Sequence, residues 1–276
     1  MTATALLIGE LKRAFEETGQ ANDLVAVTLR HLIGFMSDRG QAAYMLLSWG
    51  YSWDCEIILR SFSEAAVKVL FICYAPEEDR AKLANEYWSD FDVIHSKRRG
   101  QKASYAEVPF EDADVAIIFK ALQDPSVAGD GMSKNDRRVI EQRWSFSDMV
   151  ETLSKPAAHR EEVYHIKGLL HHYGIASHFI HADKSAMDLL LDRKSRESSE
   201  LLALRAAHAA RILSDMPSMW FLCAHKVYDH FNIERDMAPE TMAAYLRINE
   251  LAEPFMKTFT ETQKDFYSRW SEGNQE

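Results

Sequence analysis

The sequence predicts an all-α protein, a single bundle of long helices, and three observations lead to that class. Apolar residues recur at three- and four-residue spacing almost everywhere. Alternating, strand-like patterns are scarce. The one short β-branched run, Val115–Phe119, follows the acidic stretch Glu111–Asp114, which suits the first turn of a helix. Finally, the 276 residues include only 7 Pro and 11 Gly, so the chain has few obligatory turns.

Taken in order, a first helix is expected from Thr4 to Glu17, ending near Gly19, and a second from about Ala21 to Ser37, stopping at Asp38-Arg39-Gly40. A third runs from Gln41 to Tyr74 with a bend at Gly50. Pro76 opens a fourth at its first turn, where a missing N–H costs least. Its acidic start (Glu77, Glu78, Asp79) and basic end (Lys97, Arg98, Arg99) match the helix dipole. Val-Pro, Asp-Pro and Gly-Asp-Gly signals then mark a flexible insert near 105–133. It separates N-terminal helices (4–104) from C-terminal helices (134–271) within one domain, 1–276. The C-terminal part is expected to hold helices at Pro156–Ala182, at Ser195–Asn232 with a kink at Pro217, and from Pro239 to Trp270 with a bend at Pro254.

Composition narrows the function classes. The hydrophobic fraction is 47% and the charged fraction 27%, ordinary for a globular chain. A formal net charge of −10 disfavours broad nucleic-acid binding, leaving room for a local basic groove. Cys55, Cys73 and Cys223 form no C-x-x-C pair and sit in apolar stretches, so they read as buried thiols. Apolar stretches break well before the ~18 residues of a membrane span, and no export signal is visible, so a cytoplasmic protein without membrane contact is expected. No nucleotide, phosphate or nucleophile-elbow motif occurs, and no cofactor is expected.

Two segments could carry chemistry. Cys55–Tyr74 is apolar on all sides yet contains Arg60 and Glu64, four residues apart and so on one helix face. Charges on a buried helix must face each other or a polar pocket. The second segment, Tyr164–Asp183, is rich in histidine. Tyr173, Ser177 and His181 are four apart and form a polar stripe, with His178 beside it. Asp183 can orient an imidazole or cap the next helix. Histidine with a hydroxyl and a carboxylate nearby is the raw material of acid–base catalysis, but interior polar residues that merely satisfy one another give the same pattern. A metal alternative rests on three-residue spacings, Asp92/His95 and His178/His181, with Glu64 as a further ligand.

Arg60-Ser61-x-x-Glu64 followed by Tyr173-x-x-x-Ser177-x-x-x-His181 resembles a group of uncharacterised bacterial helical proteins, over roughly residues 40–190. The resemblance implies that Arg60, Glu64, Ser177 and His181 meet in one interior site, with Tyr173, His178 and Asp183 in support. A broader resemblance is to the HEPN class of helical proteins, many of them ribonucleases in toxin–antitoxin and antiviral systems. Its Arg-to-His spacing occurs once, as Arg160 and His165; Arg60 and His181, from separate helices, are the other candidate pair. It implies metal-independent RNA cleavage, with His181 moving the proton and Arg60 stabilising the phosphorane. The alternative from another class is a non-enzymatic module that binds a protein partner or small ligand. Phe255, Phe259, Phe266, Tyr267 and Trp270 on the last helix suit either a homo-oligomer or packing within the chain.

Overall fold

A computed structural model describes residues 1–19, 22–105, 113–124, 131–155 and 166–272. The elements are α1 (Thr2–Glu17), α2 (Leu24–Ser48), α3 (Ser52–Tyr74), α4 (Glu77–Asn85), a π segment (Glu86–Asp90), α5 (Phe91–Tyr105), α6 (Ala113–Gln123), α7 (Lys134–Arg143), α8 (Phe146–Ser154), α9 (Gly168–His181), α10 (Lys184–Ser195), α11 (Ser198–Phe231) and α12 (Pro239–Glu272). No strand occurs among the described residues, and the all-α class holds.

The α3 helix is the axis of the bundle. It packs against α2, α8, α9 and α11, and α12 lies along α11. Its buried side chains from Ala65 to Cys73, broken only by half-buried Lys68, explain why it reads as apolar on every side. The core continues through Met216, Pro217, Met219 and Trp220 on α11. All three cysteines are buried and free; burial pushes Cys55 and Cys73 up to about 12, so both stay protonated and inert.

The break in the first long helical stretch falls ten residues later than its glycine pattern predicts. α2 continues through Asp38-Arg39-Gly40 to Ser48, and the chain turns at Gly50, whose φ is +81°. Tyr51 N–H returns to Leu46 O at 2.9 Å and Gly50 N–H to Leu47 O at 3.0 Å, a glycine helix stop. Gly40 has a different role. It is buried where the Phe62 and Trp220 rings lie against the helix, within 4.0 Å of where a Cβ would stand.

The expected fourth helix is a helical run interrupted by the π segment, which turns Glu86 inward. Its carboxylate accepts hydrogen bonds from Arg143 and, at 3.0 Å, from Trp144 Nε1. Within the expected insert, Ala113–Gln123 is helix α6, as the reading of Val115–Phe119 requires, and packs on α5. Residues 106–112 and 125–130 lie outside the described residues, as do 156–165, and with them Arg160 and His165. The helix expected from Pro156 is described from Gly168. On α12, Phe255 is exposed and Phe259 half-buried, while the side chains of Phe266, Tyr267 and Trp270 lie outside the described set.

One buried carboxylate fastens α1 to α11 and the start of α12. Glu10 of α1 accepts hydrogen bonds from Tyr228 Oη of α11, from Arg235 Nη1 at 2.9 Å, and from Ala238 N–H and Thr241 Oγ1 at the start of α12. Burial alone would raise this carboxyl, but these donors hold it at about 2.

Candidate functional site

On α3, Glu56, Arg60, Glu64 and Lys68 follow one another at four-residue steps. Each step overshoots a full turn by about 40°, so the stripe winds by roughly 120° over its length. Its two ends, Glu56 and Lys68, therefore face different neighbours, while Arg60 and Glu64 share Tyr173 between them.

At the middle of the stripe the expected meeting with α9 occurs in part. Arg60 Nη2 donates to Tyr173 Oη at 2.7 Å, Tyr173 Oη donates to Glu64, and Arg60 lies 3.8 Å from the Glu64 carboxylate. The Arg60 guanidinium also stands 4.2 Å from the centre of the Tyr173 ring, whose rings stack with Phe146 at 4.0 Å. Burial, and then the bond to Glu64, raise the Tyr173 phenol. The ion pair is half-buried rather than sealed, at 23% and 34% side-chain exposure.

The rest of the α9 stripe does not join it. Ser177 is half-buried one turn on, and His181 is exposed. His181 lies eight residues beyond Tyr173, about 12 Å along the helix axis. The helix stops at Ala182, in the left-handed region at φ 48°, which leaves its last turn at the surface. His178 rather than His181 pairs with Asp183, Nδ1 to Oδ2 at 2.6 Å. The other Asp183 oxygen accepts from the N–H groups of Ser185 and Ala186, capping α10. The His178 bond holds the Asp183 carboxyl below its usual range. These residues build the α9–α10 corner. Among the described residues, no three His, Cys, Asp or Glu side chains come together as a metal site, so neither Asp92/His95 nor His178/His181 gains a third ligand.

The most developed polar cluster lies at the N-terminal end of the stripe. Glu56, only 5% exposed, accepts hydrogen bonds from His208 Nε2 at 2.5 Å and from Arg211, both on α11. Arg211 also reaches Asp215 at 2.8 Å. From α10, Arg193 Nη2 donates to His208 Nδ1 at 2.9 Å and covers the Trp53 ring at 4.2 Å. Trp53 also stacks on Phe179 at 4.2 Å. Burial, and then Arg193, push the His208 imidazole down to about 4. Burial likewise lowers His172.

These groups line a cleft of about 430 Å³ between α3, α9, α10, α11 and α12. Ile175, Leu189, Leu204, Met256 and Phe259 supply its apolar wall. A narrower cavity shares Glu56, His172 and Arg211 and extends to Arg60 and Tyr173. Arg196 is tied to Asp192 at 2.8 Å, and Arg211 to two carboxylates. Arg193, by contrast, hydrogen-bonds no carboxylate among the described residues. Trp53 Nε1–H is buried without an acceptor among them. Such an arrangement can hold an anion against Arg193 and shelter an apolar body against the wall.

Comparison with known proteins adds a family. A family model described as a family of unknown function (DUF5677) matches residues 27–198, more than half of the chain. The match includes the α3 stripe, α9 and α10, and ends where α11 begins. No curated protein matches, and no solved structure matches.

Proposed function

From the premise that the chain belongs to the DUF5677 family of unknown function, we propose that its cleft binds a small anionic molecule with an aromatic or aliphatic body. The carrying observation is Arg193: a cation held between the Trp53 face and His208, with Asp192 nearby but no hydrogen-bonded carboxylate among the described residues, beside an apolar wall. Holding the guanidinium in place beforehand reduces the ordering cost of binding. A cation at a concave, low-dielectric surface also concentrates anions locally, although the chain carries −10 overall.

Phenyl phosphate and benzoate, titrated by calorimetry, test this reading. Saturable binding is expected, weakened about tenfold or more in Arg193→Gln, since a charge-assisted hydrogen bond contributes about 1.5–3 kcal/mol. A melting curve establishes that the variant is folded. Equal affinity in wild type and variant, or no saturable binding of either probe, removes the reading.

A second reading is favoured by His172, whose imidazole is kept neutral by burial and lines both cavities beside Arg211. In a HEPN-like ribonuclease or antiviral effector, His172 would take the 2′-OH proton and Arg193 would stabilise the phosphorane. Cleavage of single-stranded RNA that is lost in His172→Ala selects this reading. Binding of the small probes without cleavage selects the first.

A further inference from the structure

At the far end of the α3 stripe, Lys68 faces a second pocket of about 480 Å³ that shares no lining residue with the Arg193 cleft. Its walls are aromatic, from Tyr87 and Trp88 of the π segment, Phe91 of α5, and Trp144. The ammonium stands 6.0 Å from the centre of the Tyr87 ring. We infer that Lys68 is a nucleophilic amine that captures a small aromatic aldehyde as an imine in this pocket.

Three observations support it independently. First, the carboxylates around Lys68 are committed elsewhere. Glu141 is paired with Arg98 at 2.5 Å, Asp92 faces Arg99 at 3.7 Å, and Glu64 is held by Tyr173 and Arg60. No carboxylate among the described residues lies within ion-pair distance of Lys68, which is half-buried. Second, the pocket is built on a π segment, a local distortion that recurs at functional sites because it re-aims side chains a regular helix would point elsewhere. Third, burial lowers the Lys68 ammonium below its ordinary value, against the opposing charge of Glu64, which enlarges the neutral, nucleophilic fraction.

The chemistry balances without an oxidant. The amine lone pair attacks the carbonyl carbon, and the carbonyl oxygen takes both nitrogen protons and leaves as water, giving C=N. His95, in the same wall, is placed to relay a proton to that oxygen.

The test uses the intact wild-type chain with 4-hydroxybenzaldehyde and cyanoborohydride at pH 7, which reduces any imine to a stable amine, followed by peptide mass spectrometry. Lys68 is expected to be labelled severalfold faster than the exposed Lys12 and Lys134, because the pocket holds the aldehyde beside an amine whose neutral fraction burial enlarges. Benzyl alcohol, which fills an aromatic pocket without reacting, is expected to slow labelling at Lys68 and not at Lys12. Labelling of Lys68 no faster than the exposed lysines overturns the inference, as does a Lys68 rate that benzyl alcohol leaves unchanged. Either result is independent of probe binding at Arg193.

Discussion

Arg193 donates to Nδ1 of His208 at 2.9 Å, and a guanidinium has no acceptor, so that nitrogen carries a lone pair and the imidazole is neutral. Its Nε2–H then donates to Glu56. The geometry thus reaches by itself the direction that burial and the Arg193 charge impose, down to about 4. The same contact recurs between Arg80 and His230 at 2.9 Å, away from the cleft, where Arg80 also caps the α3 carbonyls of Cys73 and Ala75. The pairing itself is a packing device; what distinguishes the Arg193 copy is the Trp53 ring beneath it and the cleft it lines.

A pH dependence follows from His208. Its folded-state pKa lies below the ordinary value, so its contribution to stability is complete above about pH 6.5 and declines as pH falls towards 4, where the unfolded chain takes up a proton the folded one refuses. Urea unfolding of wild type and His208→Gln at several pH values between 7 and 4 checks this. The advantage of wild type should shrink with acidification, and an imidazole resonance titrating at 6.5 or above would refute it.

Tyr173→Phe deletes the hydroxyl shared by Arg60 and Glu64 and keeps the ring stacked on Phe146. Two hydrogen bonds to charged groups are lost, but at a half-exposed site, so the expected destabilisation is about 1–2 kcal/mol. Combined with Glu64→Gln, the effects should add to less than their sum, because both remove the same contact. A change in unfolding free energy below about 0.5 kcal/mol for Tyr173→Phe, the level of an ordinary surface substitution, would show that the triad contributes nothing.

Gly40 and Gly50 should respond oppositely to alanine. At Gly40 the new methyl meets Phe62 and Trp220 at 3.8–4.0 Å, ordinary contact distance, and the helix gains up to about 1 kcal/mol. At Gly50 the backbone has φ +81°, which an L side chain resists, and a loss of about 1 kcal/mol or more is expected. Denaturation midpoints of the two variants on either side of wild type would bear this out; both falling below it would not.

The four-residue spacing of Arg60 and Glu64 announces a polar face on α3, and Tyr173 meets it because α9 carries its own stripe. His181 belongs to that stripe by periodicity but lies past the stretch that touches α3, and periodicity does not say where a helix leaves its neighbour. The cluster around Glu56 is not legible in the sequence for a related reason. His208, Arg211 and Asp215 sit at three- and four-residue steps in an alanine-rich stretch of α11, and Glu56 and Lys68 extend the Arg60–Glu64 pattern by one turn each way. Both strides are visible in the sequence. Their convergence is not, because it depends on α3, α10 and α11 packing around one cleft, which is set by tertiary contacts between distant segments. Gly40 misleads likewise: the helix runs through it, and the Phe62 and Trp220 rings leave ordinary contact room for a Cβ there.

The Glu10 knot joins α1 to the end of α11 and the start of α12. Tyr228 lies 218 residues from Glu10 in sequence, yet the same carboxylate holds it together with the first residues of α12. That helix carries Met256 and Phe259, part of the wall of the Arg193 cleft. The first helix thereby anchors the helix that supplies part of the cleft wall. Trimming the first dozen residues, none of which lines the cleft, would remove that anchor and leave the wall held chiefly by α11.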